Sequence, residues 1–206
     1  MFSFGSVGGK RPCSWPCISA CVSTYNMLLY RLILLRQRTF KLIITQAELP
    51  ELRQELAGKT IAYTCGTFDL LHIGHIEFLE WCSEQADVLV VGLHSDARVQ
   101  AAKGPSRPVI TEGHRLGMLD ALRMVDYEFI VEGSELKAVG WIKAAQDLHP
   151  DVCILGPDWA DLEIQLWKEM VPEAEIRVSP ARKGHSTSAI VDRIAIKTIE
   201  PASIKA

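Results

Sequence analysis

From about Glu48 onward, the apolar residues fall into two alternating regimes. Short apolar runs with little alternation lie at Ile61–Thr64, Asp87–Leu93, Tyr127–Val131, Val152–Leu155 and Glu175–Val178. Such runs predict strands buried on both faces. Between them the apolar spacing lengthens to three or four. Ile76, Leu79 and Cys82 predict a helix over about 74–86, and Leu116, Leu119 and Leu122 another. A helix is also expected over Glu135–Leu148, closed by His149-Pro150, and a further one around Leu162–Met170. The last helix carries Ile190, Val191 and Ile194. Ser95, Thr111 and Ser186 stand where N-caps belong. Before the first strand, Glu48–Leu56 reads as a short amphipathic helix stopped at Gly58. Strands alternating with helices of this length predict a Rossmann-like α/β domain, a five-stranded parallel sheet with helices on both faces and right-handed crossovers.

The charge pattern divides the chain. Residues 1–47 hold six basic residues and no acid, whereas the rest holds 16 basic and 25 acidic residues, a net charge of −9. We expect a basic, poorly ordered extension over 1–47 and one domain over 48–198. The extension reads as a targeting arm or as translation from an upstream start, Met27 being an internal candidate. Pro12–Tyr30 contains two prolines and several polar residues, and Arg31 follows, which makes a poor membrane span. The net charge of −3 over 206 residues argues against a general nucleic-acid binder. Cys13, Cys17 and Cys21 lack a fourth ligand nearby and read as incidental thiols. Cys65, Cys82 and Cys153 read as core thiols of a reducing compartment, so the expected location is cytoplasmic.

Polar motifs gather where the strands end. Ligands of open parallel sheets bind beyond those carboxyl ends. The densest is Gly66-Thr-Phe-Asp-Leu-Leu-His-Ile-Gly-His75, between the first strand and its helix. Gly66 lets backbone approach a phosphate, and Gly74 leaves room above the helix start. His72 and His75 add imidazoles able to donate to phosphate oxygens as charge builds in a transition state. Asp69 is open between a turn cap and a ligand contact. Further along come His94-Ser95-Asp96, the loop Lys103-Gly-Pro-Ser-Arg-Pro108, Arg115 to Asp126, Gly156-Pro-Asp-Trp159 and Ser186-Thr187-Ser188.

These motifs, in this order over roughly 49–195, resemble those of the cytidylyltransferase-like nucleotidyltransferases with their H-x-G-H signature. Within that family the adenylyltransferase domain of bacterial ADP-heptose synthases is most similar. The resemblance implies the nucleotidylyl transferase fold and catalytic contacts to the phosphates from His72, His75, Lys103 and Arg115. It also implies nucleotide contacts from Gly66, Thr67, Phe68, Gly74, Asp158, Ser186 and Thr187, and acceptor contacts from Asp69 and Trp159. Three departures bear on the substrate: Leu155 stands where the heptose enzymes carry lysine, Arg182 and Lys183 precede the Ser-Thr motif in a shifted register, and His185 stands directly before Ser186. Leu155 and the Asp158-Trp159 pair are more similar to glycerol-3-phosphate cytidylyltransferases.

The implied reaction needs no base and no covalent intermediate. A phosphomonoester is largely ionised near neutral pH, since its second pKa is about 6. It attacks the α-phosphorus of a nucleoside triphosphate directly, while the protein positions the groups and stabilises charge. Mg²⁺ is the expected cofactor, bridging phosphate oxygens with few protein ligands, Asp69 being one candidate. The expected partners are ATP in preference to CTP and a small phosphorylated sugar or alcohol, with D-glycero-β-D-manno-heptose 1-phosphate first and glycerol 3-phosphate with CTP as the alternative. Neither nucleic acid nor a firm membrane partner is expected, and a homodimer is compatible with the family. A non-catalytic nucleotide-binding module is the reading from another class. A class I aminoacyl-tRNA synthetase would need a Lys-Met-Ser-Lys-Ser signature, which this sequence lacks.

Overall fold

The computed structural model describes residues 42–133, 139–180 and 186–199. Six parallel strands form one sheet in the order β1-β4-β3-β2-β5-β6. In chain order they are β1 (Leu42–Ile43), β2 (Ile61–Gly66), β3 (Val88–His94), β4 (Tyr127–Val131), β5 (Val152–Leu155) and β6 (Glu175–Val178). The helices are α1 (Leu49–Glu55), α2 (Ile73–Ser83), α3 (Asp96–Lys103), α4 (Glu112–Asp120), α5 (Val139–Leu148), α6 (Asp161–Met170) and α7 (Thr187–Ile199).

Neighbouring side chains on the central strands enter opposite cores, which is why those strands read as nearly unbroken apolar runs. Tyr63, Val90, Phe129 and Cys153 pack with Leu49, Leu52, Ile142, Leu148 and Trp167 of α1, α5 and α6. Ala62, Leu89, Val91 and Ile154 pack with Leu79, Cys82, Leu116 and Leu119 of α2 and α4. The chain winds from β2 outward to β3 and β4, then returns to β5 and β6 on the other side of β2. The reversal beside β2 opens a crevice at the strand ends, the position where open α/β sheets bind ligands.

The parallel α/β sheet expected from the sequence is present, with a sixth strand added at its edge. β1 is two residues long, too short for a periodicity to register. It pairs Leu42 with Tyr127 and Ile43 with Glu128. The Ile44 amide donates to the Glu128 carbonyl at 3.0 Å. Next, the Glu132 amide donates to Gln46 Oε1 at 2.9 Å, and Glu48 caps the Thr45 amide at 2.6 Å. Ordered pairing therefore starts inside the segment assigned to the extension. Removing residues 1–39 is expected to leave the melting temperature within about 1 °C. Removing 1–48 deletes β1 and its bonds and is expected to cost about 1–3 kcal/mol, or roughly 2–12 °C by thermal denaturation.

Of the helix predicted over Glu135–Leu148, the described part is α5, Val139–Leu148, and residues 134–138 lie outside those described. No helix among the described residues is long and apolar enough to cross a membrane.

Candidate active site

The turn after β2 holds two non-glycine residues in the left-handed region, Phe68 (φ 48°) and Leu70 (φ 47°). Such conformations cost about 1–3 kcal/mol each and persist where surrounding contacts enforce them. Here the enforcement is visible. The Phe68 ring lies across Gly66, so that a Cβ at 66 would come within 2.9 Å of it. Asp69 is 1% exposed, and both its oxygens are engaged. Oδ2 accepts from Arg107 Nε at 2.9 Å and from the Val109 amide at 3.0 Å, and Oδ1 accepts from the Ile110 amide at 3.0 Å. The Asp69 carbonyl accepts from Thr187 Oγ1 at 2.9 Å.

Asp69 thus ties the turn to the loop after α3 and to the start of α7. Of the two roles the sequence left open, these bonds are those of the turn anchor, with both carboxylate oxygens engaged by the chain itself. Burial pushes its pKa up, but the Val109 and Ile110 amides and Arg107 outweigh burial and hold it below the ordinary carboxylate value.

His72 occupies the N-cap position of α2 with extended backbone, and His75 follows in the first turn. Their rings stack with centres 3.8 Å apart and 18° between planes. Phe68 meets His75 edge-on at 5.4 Å. Burial, then the neighbouring His72 and Lys103, push the His75 pKa down to about 4. A neutral imidazole still carries one N–H donor, so His75 is able to donate at neutral pH without being charged.

The sign of the linkage follows from that lowering. Between about pH 6.5 and 4 the unfolded chain binds a proton at this residue that the folded one does not, so stability decreases as the pH is lowered through that window. A bound triphosphate favours the imidazolium. The His75 pKa followed by NMR is therefore expected to rise on adding a non-hydrolysable nucleotide, and an unchanged value would remove the histidine from the phosphate site.

The residues assigned in the sequence to the phosphates, the nucleotide and the acceptor all line one cavity of about 830 Å³, with the exception of Arg115. Arg115 is fully buried behind the wall. It donates to the carbonyls of Thr67, of Ile110 at 2.9 Å and of His94 at 2.8 Å, and it pairs with Asp96 at 2.7 Å. Every guanidinium nitrogen is used, so the expected contact with the triphosphate is replaced by a bracing role. Lys103, in the last turn of α3, does face the cavity, as does Arg107. Burial and the charge of Arg107 lower the Lys103 pKa.

Across the crevice stand Asp158 and Trp159 after β5, Ser179 after β6, and Ser186 and Thr187 at the start of α7. Ser186 Oγ caps α7 by accepting the Ala189 amide at 3.1 Å. Its hydroxyl proton therefore remains available to a ligand. Arg182, Lys183 and His185 lie outside the described residues. Cys65 also lines the cavity, and burial pushes its thiol up to about 12, so it stays protonated and is a poor nucleophile.

His94, Arg98, Arg107 and Trp141 line the same cavity but were not among the sequence-assigned site residues. His94 and Arg107 lay inside motifs the sequence had singled out. Arg98 and Trp141 carried no signal, because their proximity depends on how α3 and α5 pack. Burial, then the charges of Arg98, Lys103 and Arg115, push the His94 pKa down to about 3. Among the described residues, no group of three or more His, Cys, Asp or Glu side chains converges on a metal position.

A family model described as cytidylyltransferase-like matches residues 63–193. The chain is 36% identical over 140 residues to the bifunctional protein HldE of Syntrophotalea carbinolica, and 39% identical over 134 residues to HldE of Helicobacter pylori strain Shi470. These alignments cover 66% and 65% of this chain but 27% of each relative, so the chain spans about a quarter of their length. Among solved structures, the lipopolysaccharide core biosynthesis protein of Thermoplasma volcanium matches with a TM-score of 0.52 and 25% identity, over 61% of this chain and all of that one. A pantoate-beta-alanine ligase of Francisella tularensis, 18% identical with a TM-score of 0.51 over 77% of this chain and 79% of that one, shares the fold.

Proposed function

The chain belongs to the cytidylyltransferase-like family, and on that premise we propose that it transfers a nucleoside monophosphate from a nucleoside triphosphate to a phosphorylated acceptor. An acceptor phosphate oxygen forms the new bond to the α-phosphorus as the bond to the bridging β-phosphate oxygen breaks, and pyrophosphate leaves. The observation that carries this reading is the convergence of His72, His75, Lys103, Arg107 and the capped start of α7 on one cavity at the strand ends. No general base is needed, since the nucleophile is already an anion.

In this reading His75 and Lys103 donate to phosphate oxygens as negative charge shifts toward the leaving pyrophosphate. Ser186 and the amides at the start of α7 hold the far phosphates, where helix ends favour anions. Gly66, Thr67, Phe68, Gly74 and Asp158 border the nucleotide, and Trp159 borders the acceptor. Magnesium arrives on the triphosphate as part of the substrate. Mg²⁺ is held largely by phosphates, water and one or two carboxylates.

The proposed pair is ATP with a heptose 1-phosphate, on the strength of the HldE relatives, and the proposed compartment is the cytoplasm. A second pair, CTP with glycerol 3-phosphate, is favoured by Leu155 preceding Gly156-Pro157-Asp158-Trp159. Pyrophosphate release on mixing with each pair tests both. ATP with the heptose phosphate is expected to turn over at least tenfold faster than CTP with glycerol 3-phosphate, and the reverse ranking would transfer the assignment. Nucleotide binding with no release for any pair would make the protein a binding module.

A further inference from the structure

The cavity wall formed by α3 and α5 carries a charge that the transfer step does not use. Arg98 stands in the first turn of α3, where its amide donates to the Ser95 cap at 3.2 Å. It is 9% exposed, and its guanidinium carbon sits 4.4 Å from the centre of the Trp141 ring. Trp141 is flanked by His94, with ring centres 4.9 Å apart, and by Trp159 at 5.2 Å. All four residues line the cavity. The Trp141 indole nitrogen and His94 Nε2 are buried beside Arg98 without a hydrogen-bond partner among the described residues.

We infer that Arg98, braced on Trp141, selects the acceptor: it binds a phosphorylated sugar or polyol and excludes acceptors that carry a cationic head. The inference rests on the nucleotidyl-transfer reading and supplies its acceptor class. Three physical arguments carry it. First, recognition of a quaternary ammonium requires open aromatic faces. Here a guanidinium already covers the Trp141 face and repels a second cation.

Second, the planar fork of arginine has five donors and matches phosphate oxygens, so it can take an anion alongside its local contacts. The neighbouring indole and imidazole nitrogens are polar groups suited to hydroxyls. Third, Arg98 precedes Lys103 by five residues on the same helix, a rise of about 7.5 Å along the axis. The acceptor and the triphosphate therefore have separate cations.

The test pairs steady-state kinetics with direct binding. Arg98→Gln, Arg98→Lys and Trp141→Phe would be assayed with mannose 1-phosphate, a heptose 1-phosphate, glycerol 3-phosphate and phosphocholine as acceptors. ATP and CTP binding would be titrated without acceptor. Losing one charge-assisted contact is expected to raise the acceptor KM of Arg98→Gln by about 10- to 100-fold. Triphosphate Kd should stay within twofold, and the discrimination against phosphocholine should shrink at least tenfold. Arg98→Lys, which keeps the charge and loses the fork, should fall between, and it decides the matter if Arg98→Gln does not fold. Trp141→Phe should raise the same KM several-fold.

An unchanged acceptor KM in Arg98→Gln or in Arg98→Lys, or a wild type that accepts phosphocholine as readily as the sugar phosphates, overturns the inference while leaving nucleotidyl transfer standing. Should the wild type release no pyrophosphate with any pair, nucleotidyl transfer falls instead. Quenching of tryptophan fluorescence by the same acceptors then decides the subsite: Arg98-dependent binding of sugar phosphates supports it, and no such binding overturns it.

Discussion

Replacing His75 by alanine is expected to lower turnover by about 10²-fold or more, the cost of deleting one preorganised donor to developing charge. His75 is the histidine whose environment is best defined, stacked on His72 at 3.8 Å and met edge-on by Phe68 at 5.4 Å. It lies in the first turn of α2, and its buried Nδ1 has no hydrogen-bond partner among the described residues for the substitution to break. Melting temperature and circular dichroism should therefore remain near those of the wild type. Nucleotide binding should weaken far less than kcat falls, because the contact strengthens only as the transition state forms. A variant with normal turnover would remove His75 from the chemistry. Equal losses in binding and turnover would make it a ground-state contact.

Asp69→Ala is expected to have the largest effect on stability. The substitution leaves Arg107 and the Val109 and Ile110 amides without their acceptor, in a pair that is 13% and 1% exposed. Breaking a buried pair from one side costs about 3–5 kcal/mol, and the lower end applies because Arg107 reaches solvent. About 3 kcal/mol corresponds to a drop of roughly 6–12 °C in a domain of this size. The bond from Thr187 goes to the backbone carbonyl of Asp69 and survives the change. The variant therefore frees the loop that follows Lys103 while α7 stays anchored, and kcat/KM should fall at least tenfold even at temperatures where the protein remains folded.

The same carboxylate predicts an acid limit. Its folded pKa lies below the ordinary value, so its stabilisation is complete above about pH 4 and is lost as pH falls through the lowered value. An Asp69→Ala protein with an unchanged melting temperature would contradict the tie.

The strand and helix order was legible because burial on both faces writes long apolar runs into the central strands, and because Ser95 and Ser186 mark real caps. The crevice was legible because its motifs cluster at strand ends. The roles of charged side chains were legible only in part. Asp69 and Arg115 looked like ligand contacts, since a sequence shows a charge but not the distant backbone groups that absorb it. Arg115 meets Thr67 and His94, and Asp69 meets Val109, each across a long stretch of sequence. The Arg98–Trp141 pair stayed hidden for the same reason. β1 was missed because two residues set no period.

Arg115 has a consequence for how the site opens. One side chain joins the segments that follow β2 and β3 to the one that precedes α4, and it is sealed from water. Backbone opening there would strand three carbonyls and a buried cation together, so the amides of these segments are expected to exchange their hydrogens only as the sheet itself opens. In the proposed reaction, the motion that admits substrates and releases pyrophosphate then falls to the opposite bank, at the turn after β5 that carries Asp158 and Trp159.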